Sequence, residues 1–382
     1  MRAGELTMGV VGTSTKENEL RAPIDPVHVG SLHPDLRGRI WLERGYGERF
    51  GVPDSELEPL VAGLCDRDAL FERSDIVLLA KPTDDDLPCF REGQILWGWP
   101  HCVQGEAITQ AAIDRKLTLI AWEAMNLWSG EVRGLHVFHK NNEIAGYAAV
   151  LHALQLCGRT GLYGPPQRAA VIHSGLTARG SLHALKGLGY SDLTCFTALQ
   201  DHELSAQVPG VRYRRFEQDP AGPETFVVEE DGDHVPMEEE LSNHDIVVNC
   251  IFQNTDWPMM FARKEDLPRF RRNALIVDVS CDAGMGFDFA RPTTFEEPLF
   301  VAGSGVTYYA VDHTPSLLWR SATWEISRAL LPYVPAVLGG PEAWEADPTI
   351  RRAIEMQEGR ILNEKILSHQ DRAPDYPHAR RT

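Results

Sequence analysis

No stretch of this sequence approaches the ~20 consecutive apolar residues that a helix needs to cross a bilayer, so no membrane span is expected. The N-terminus has Glu5 close behind Arg2 and no apolar core of the kind a secretion signal carries. Positive charge is scarce: 37 Lys and Arg face 55 Asp and Glu, a net charge of −18. Nucleic acid and anionic membrane, both negative themselves, are poor partners for such a chain. The seven cysteines are scattered and never fall in a CxxC or another metal-ligand spacing. That argues against a disulfide framework and for reduced thiols in the cytoplasm. His136 and His139 have no further ligand at metal spacing, so no metal site is expected. A G-x-S-x-G elbow is missing too, which leaves Asp312-His313 without the serine of a hydrolase. No internal repeat recurs at a fixed period.

What remains is an ordinary globular composition, 43% hydrophobic and 24% charged over 382 residues, enough for two domains with separate cores. Residues 8–12, 39–43, 74–80, 94–101 and 117–122 read as strands, with 107–116 helical between the last two. From Asn142 the pattern is helical, with Ile144, Tyr147, Val150, Leu151 and Leu154 on one face. Buried strands follow at 169–173, 192–196, 245–251, 274–280 and 299–302. Strands alternating with helices imply parallel sheets, hence an α/β chain. Residues 319–333 read as an amphipathic helix and the helical pattern continues through 350–367, returning to the first domain. The acidic segment 217–240 reads as a loop or hairpin insertion with no assignable role, and the polar tail from Arg372 as disordered.

The centre of the chain is the stretch 168–190. A strand-like run ends at His173, Gly175 makes a turn, and Gly180 opens a segment with Leu182, Leu185 and Leu188 at helical spacing. Strand, glycine turn and helix N-terminus are what an α/β sheet presents to a pyrophosphate. The turn reads G-x-x-x-x-G and lacks the middle glycine of G-x-G-x-x-G, so alone it fits a ligand-free βα unit equally well. The polar sequences 249–253, 280–284 and 309–316, at the ends of later strands, tip the reading towards a dinucleotide domain. The cofactor-binding candidates are Ser174, Gly175, Thr177, Ala178, Arg179 and Gly180 at the turn, with the amides from Thr177 to Ser181 as anchors. Thr197, Cys250, Ile251, Val279 and Ser280 join them from neighbouring strand ends. The second strand runs into Phe196-Thr-Ala-Leu-Gln200, with no acid before Asp201 to hold the ribose hydroxyls of NAD. NADP(H) is therefore favoured over NAD(H), with Arg179 or Thr197 either near a 2′-phosphate or in a solvated turn.

In the first half, Lys81, His101 and Glu123 each follow the end of a strand, where α/β sheets place ligand chemistry. Lys81 and His101 together make an acid/base pair for a carbonyl or imine substrate. Taken singly, Lys81 reads as a solvated strand end and His101 as a core histidine. Arg21, in the polar loop 13–21, has the fork to clamp a carboxylate or to form a surface ion pair.

The motifs Thr15-Lys-Glu-Asn-Glu-Leu-Arg21, Ala80-Lys-Pro82, Trp97-Gly-Trp-Pro-His101, Asn142-Glu-Ile-Ala-Gly-Tyr147, Val277-Asp-Val-Ser280 and Val311-Asp-His-Thr-Pro-Ser316 occur in that order. They resemble the alanine dehydrogenase/saccharopine dehydrogenase superfamily. The run 145–154 and the turn 175–184 resemble in particular its opine-type members, the N5-(carboxyethyl)ornithine synthases. The resemblance implies two Rossmann-like domains with a parallel sheet each and the active site in the interdomain cleft. Residues 1–136 plus 319–382 would form the substrate domain and 137–318 the dinucleotide domain. It also implies that Lys81 and His101 act at the imine or amine centre, that Asp282 lies beside the nicotinamide, and that Arg21 binds substrate carboxylate. Lys16 shares the motif of Arg21. Glu19, Glu123 and Asp312 match acidic positions suited to an amino group, and His313 completes the substrate-binding set. Two positions depart from the pattern. Leu199 stands near the place where an NADPH-using synthase is expected to carry arginine, and Pro82 replaces the glutamate next to the lysine of saccharopine dehydrogenases.

The activity implied is NAD(P)H-dependent reductive condensation of a 2-oxo acid, pyruvate first, with the amine of an amino acid such as ornithine or lysine. These small molecules are the expected partners, and a homo-oligomer is left open. Oxidative deamination of alanine, or cleavage of a saccharopine-like secondary amine, is the alternative. A cofactor-binding relative without catalysis is a third reading, and the joint presence of Lys81, His101 and Asp282 counts against it.

Overall fold

The computed structural model describes residues 5–204, 207–253, 257–303 and 305–381. The chain divides into two compact units, Met1–His139 with Trp319–Thr382, and Lys140–Leu318. The first unit opens with β1 (Met8–Val10), β2 (Ile40–Glu43), β3 (Gly63–Cys65), helix α1 (Arg67–Arg73), β4 (Ile76–Leu78), β5 (Ile95–Gly98), helix α2 (Glu106–Asp114) and β6 (Thr118–Ala121). A separate hairpin, β7 (Asn126–Ser129) and β8 (Val132–His136), leads to helix α3 (His139–Leu156). The second unit continues with β9 (Arg168–Ile172), α4 (Leu176–Gly187), β10 (Asp192–Thr197), β11 (Arg212–Gln218), β12 (Thr225–Val228), β13 (His234–Pro236), α5 (Met237–Ser242) and β14 (Ile246–Asn249). It closes with β15 (Met260–Ala262), β16 (Leu275–Asp278), β17 (Gly286–Phe287), β18 (Leu299–Ala302) and β19 (Val306–Tyr309). Helix α6 (Trp319–Leu330) returns the chain to the first unit, to which it adds β20 (Ile354–Gln357), β21 (Arg360–Ile361) and a last helix (Glu364–His369).

Each unit is a doubly wound sheet. The parallel strands run β3-β2-β1-β4-β5-β6 in the first unit and β11-β10-β9-β14-β16-β19 in the second, the same order written twice. That order has its topological switch point beside the first strand, where such sheets take their ligands. Both faces of each sheet are covered, which is why the strands read as continuous apolar runs. In the first unit Met8, Val10, Ile40, Leu42, Ile76 and Leu78 gather in one core, while Val77, Leu96 and Leu119 join another. In the second, Ala170, Ile172, Val247 and Ile276 pack apart from Ala169, Val171, Val248 and Val277. Each Val, Leu, Ile or Met side chain among them contributes about 1.5–3 kcal/mol on full burial, enough to hold strands this short. Ile326, Leu330, Val334 and Val337 from the C-terminal segment complete the first unit's core.

Several expectations need correction. The helix after the glycine turn begins at Leu176, with Gly175 as its N-cap, so Gly180 lies inside it. Gly180 is a packing residue: a Cβ there would sit 1.8 Å from the Glu143 carbonyl oxygen, and one on Gly146 would sit 1.9 Å from that of Thr177. Helices α3 and α4 therefore meet backbone to backbone. Of the two readings of the acidic segment 217–240, the hairpin holds and the loop does not. The segment contains the antiparallel strands β12 and β13 and helix α5, and Glu229 and Glu240 close on Arg214 at 2.5 and 2.6 Å. Residues 354–357 and 360–361 are strands, because the open edge of β6 accepts an antiparallel neighbour. Glu358 and Gly359, at φ 50° and 78°, form the tight turn between them. The tail from Arg372 is ordered: Arg372 is buried, with Nε donating to Gln370 Oε1 at 2.7 Å and Nη1 to Gln110 Oε1 at 2.9 Å.

Candidate active site

In the first unit, β4, β5 and β6 are adjacent and parallel, so the residues just past their C-terminal ends fall side by side. Lys81 Nζ lies 2.7 Å from His101 Nε2. At that separation one nitrogen donates and the other accepts, so the pair holds one proton fewer than two full cations would. The His101 backbone sits in the left-handed region, φ 49°, and its N–H donates to Glu123 Oε1 at 2.7 Å. His101 Nδ1 lies 3.7 Å from the same oxygen. Glu123 thus fixes the histidine from behind while Lys81 meets its other ring nitrogen.

Burial pushes the Glu123 carboxyl up to about 8, helped by the negative charge of Glu355 and opposed by the His101 amide and Lys81. About a quarter of the Glu123 side chain is exposed, but its Oε2 edge is sealed and makes no hydrogen bond. Glu355, on β20 beside β6, is itself buried and raised by desolvation, with Asn363 Nδ2 donating to it at 3.1 Å. Sequence reasoning missed Glu355, because its place depends on a strand pairing that 350–367 did not advertise. It also passed over Trp99 as a platform: Arg21 Cζ lies 4.9 Å and Lys81 Nζ 5.9 Å from its ring centre.

Arg21 and Glu19 are both almost fully buried and lock together. Arg21 Nε donates to Glu19 Oε1 at 2.8 Å and Nη2 to Oε2 at 2.5 Å, while the Arg21 amide adds a third bond at 3.0 Å. Glu19, matched in sequence to an acidic position suited to an amino group, is the carboxylate partner that orients Arg21. Lys16 is half-buried in the same loop, where the Glu19 amide closes a turn on its carbonyl at 3.1 Å.

The second unit brings the cofactor candidates to one sheet edge. Phe196, Ile172, Asn249 and Asp278 lie in register across four neighbouring strands, at or next to their C-terminal ends. Thr197, Cys250, Ile251, Val279 and Ser280 follow them directly. Ser174 Oγ and Thr197 Oγ1 are 2.8 Å apart, Ser181 Oγ and Cys250 Sγ 3.4 Å, and Ser280 Oγ donates to the Ile251 carbonyl at 2.5 Å. Gly175 caps α4 without a side-chain hydrogen bond, so the amides of Leu176, Thr177 and Ala178 have no helical or side-chain acceptor there. Those of Arg179, Gly180 and Ser181 belong to the helical ladder, Arg179 to Gly175 at 2.9 Å, which moves the anchors from Thr177–Ser181 back to Leu176–Ala178. An uncapped helix start at the switch point suits a pyrophosphate, so the donor set fits a dinucleotide.

Asp282 lies in a turn built on a buried carboxylate. Asp278 accepts from Asn249 Nδ2 at 2.9 Å, from Tyr308 Oη at 2.5 Å and from the amides of Ser280 and Cys281 at 3.2 and 3.4 Å. Burial raises Asp278 to about 6, against those hydrogen bonds, and burial also raises Asp282. Asp312 and His313 follow β19, with the two side chains 3.3 Å apart and the His313 backbone at φ 44°. The Asp201 side chain lies outside the described residues. Among the described residues no group of three metal-ligating side chains stands together, and no helix is long and apolar enough to cross a membrane.

Residues 10–145 match the alanine dehydrogenase/PNT N-terminal domain and residues 202–364 the corresponding C-terminal domain. The chain is 25% identical over 375 residues to an alanine dehydrogenase of Mycobacterium tuberculosis, covering 94% of this chain and 95% of that one. It is 24% identical over 328 residues to an N(5)-(carboxyethyl)ornithine synthase of Clostridium botulinum, covering 83% and 90%. Among solved structures it is similar in fold to an L-alanine dehydrogenase, with a TM-score of 0.76 at 19% identity over 95% and 99% of the two chains. A transhydrogenase from Sinorhizobium meliloti aligns with a TM-score of 0.70 at 16% identity over 93% and 98%.

Proposed function

The chain belongs to the alanine dehydrogenase/PNT family, and from that premise we propose that it condenses a 2-oxo acid reductively with the amine of a diamino acid, using NADPH in preference to NADH. It is a NAD(P)-dependent oxidoreductase acting on CH–NH bonds. We assign Lys81, His101, Glu123, Arg21 and Lys16 of the first unit to the substrate, joined by Asp312 and His313 of the second, assign the cofactor groups to the second unit, and place the protein in the reducing cytoplasm that its unpaired cysteines suit.

The observation that carries this reading is the 2.7 Å contact between Lys81 and His101. Condensation of an ammonium with a 2-oxo acid to an iminium moves two protons from nitrogen to the departing oxygen, which leaves as water. A pair that shares protons at one strand edge serves both transfers without a second base. Glu123, protonated at neutral pH, holds His101 in place without adding a full negative charge beside it. Arg21, oriented by Glu19 and stacked on Trp99, is assigned the substrate carboxylate, with Lys16, Asp312 and His313 as further substrate contacts. The cofactor supplies the hydride, and Asp282 is assigned a place beside its nicotinamide. Overall one solvent proton is consumed for each secondary amine formed from an ammonium, a 2-oxo acid and the reduced nucleotide.

A second reading, oxidative deamination of alanine, is favoured by the match to an alanine dehydrogenase over nearly the whole chain. Following the absorbance of the reduced nicotinamide with a panel of amines and 2-oxo acids, first with NADH and then with NADPH, separates the two. Turnover with pyruvate and ornithine or lysine supports the opine reading. Turnover only with pyruvate and ammonia, or with alanine and the oxidised nucleotide, transfers the assignment to deamination. No turnover and no nucleotide binding would remove both.

A further inference from the structure

The end of β10 lacks both the acid that would select NAD and the arginine expected near Leu199, yet a guanidinium reaches that place from the next strand. β10 pairs with β11 in parallel register, Phe196 with Arg214 and Thr197 with Arg215. Arg214 turns to Phe196, 5.8 Å from its ring centre, and is held by Glu229 and Glu240. Arg215, the next residue, stands beside the loop that follows Thr197. With the Gln200 amide turned so that its oxygen faces the guanidinium, Gln200 accepts from Arg215 Nε at 3.1 Å and from Nη2 at 3.0 Å. The loop itself is fixed by the Leu199 amide donating to Thr197 Oγ1 at 3.1 Å and by the Gln200 amide donating to Glu203 at 2.7 Å. In this strand order the end of the second strand is where the adenosine ribose lies.

We propose that Arg215 is the specificity-determining residue for the cofactor, receiving the 2′-phosphate of NADPH. The inference rests on the dinucleotide reading given above. A guanidinium presents two parallel N–H donors to a phosphate, a geometry that a neutral ribose hydroxyl cannot use as fully. Arg215 is 37% exposed, open enough to meet a ligand and fixed enough to be preorganised. Its ion-pair partner, Glu217, lies two residues on along β11 and is 41% exposed. Glu217 holds the guanidinium when no phosphate is present and competes with the phosphate for it. Arg179, in the first turn of α4, is a second cation on this side: its charge acts on the Tyr213 phenol, two residues before Arg215. Arg179 is itself only loosely paired, 3.9 Å from Glu143.

Fluorescence titration of the full chain with NADPH and with NADH tests this without relying on turnover. The wild type is expected to bind NADPH more tightly. Arg215→Ala and Arg215→Gln should each weaken NADPH by about 10–100-fold, the loss of a charge-assisted pair, and leave NADH within about twofold. Glu217→Gln should tighten NADPH by up to about fivefold, since it removes a competing exposed ion pair. Equal weakening of both nucleotides would make Arg215 a structural residue, and unchanged NADPH binding, or a wild type that prefers NADH, would also overturn the assignment. Failure of the wild type to bind either nucleotide would instead overturn the dinucleotide reading, and this inference with it. The Gln variant keeps a strand-compatible side chain, so a folding defect in the Ala variant does not blur the outcome.

Discussion

The two units share a strand order, yet their equivalent turns are finished in opposite ways. After β1 the amides of Gly12 and Thr13 donate to Glu43 Oε2 at 2.7 and 2.8 Å, and the Thr13 hydroxyl donates to Oε1 at 2.8 Å. Glu43 ends β2, so the first unit fills with its own carboxylate the place where this fold receives an anion. After β9 the chain turns at once into α4, no side chain caps the turn, and β10 ends on the neutral Thr197. One turn is plugged from within and the other is open. The contrast reverses further along the sheets. Beyond β4, β5 and β6 stand Lys81, His101 and Glu123, whereas β14 and β16 end on Asn249 and Asp278, which hydrogen-bond to each other. A doubly wound sheet supplies only an edge, and the residues at the strand ends decide what chemistry that edge can carry.

The most severe way to break this division is at the proton pair. His101→Ala should lower turnover by roughly 10²–10⁴ while NADPH binding stays unchanged, measured by steady-state rates beside nucleotide titration. Turnover that survives would remove His101 from the acid/base role. Next come two glycines, one in each unit, where a Cβ would strike a backbone carbonyl: Gly98 at 1.9 Å from Leu79 O, and Gly180 at 1.8 Å from Glu143 O. Alanine at either should cost about 1–3 kcal/mol of stability through overpacking, read from denaturant unfolding. Gly98→Ala forces β4 and β5 apart and should depress turnover with little change in nucleotide affinity. Gly180→Ala shifts the start of α4 and should weaken nucleotide binding. Identical phenotypes for the two would contradict the division.

Much of this arrangement was legible in the sequence, and what was not has a physical reason. Buried parallel strands are continuous apolar runs stopped by polar or breaking residues, so Lys81 before Pro82 and His101 after Pro100 stand out as strand ends. The helix start at Leu176 was hidden because its N-cap is Gly175, which carries no capping side chain, while Gly180, a packing residue, mimicked a boundary. Glu355 and Arg215 were invisible for a different cause: each owes its place to the register of a neighbouring strand, β6 and β10 respectively. The tail from Arg372 looked disordered by composition, but Gln370 and Gln110 accept from the Nε and Nη1 of its buried guanidinium and tie the tail to the first unit.

A milder probe addresses the plugged turn. Glu43→Gln keeps an acceptor but removes the charge that holds Gly12, Thr13 and, at 3.6 Å, Arg67. A loss of about 1–2 kcal/mol is expected, the difference between charged and neutral hydrogen bonds, seen as a lower melting temperature. Nucleotide stoichiometry should remain that of the wild type. An additional bound nucleotide in this variant would show that the first unit is a latent dinucleotide site and that Glu43 is all that closes it.

The smallest expected effect is also the most diagnostic of how Glu123 is tuned. Its carboxyl is raised from 4.5 to about 8, first by burial and second by Glu355, with Lys81 pulling the other way. Cys102, whose thiol bonds Glu355, and His136, which bonds the Glu123 backbone, are the other titratable groups packed around it. Because the folded value lies above the unfolded one, the stability this neutral carboxyl contributes is fully present below pH 4.5 and is lost as pH rises through about 8. Ionisation also sets a full negative charge 3.7 Å from His101 Nδ1, which favours the imidazolium and should bend the kcat profile on the basic side. Glu355→Gln removes the like charge, so both the stability decline and that bend should move to lower pH, while Glu123→Gln should abolish them. Because burial is the larger cause, the Glu355→Gln shift should be only part of the whole. A profile unmoved in Glu355→Gln but lost in Glu123→Gln would assign the tuning to burial alone and make β20 a mere cover for the sheet edge.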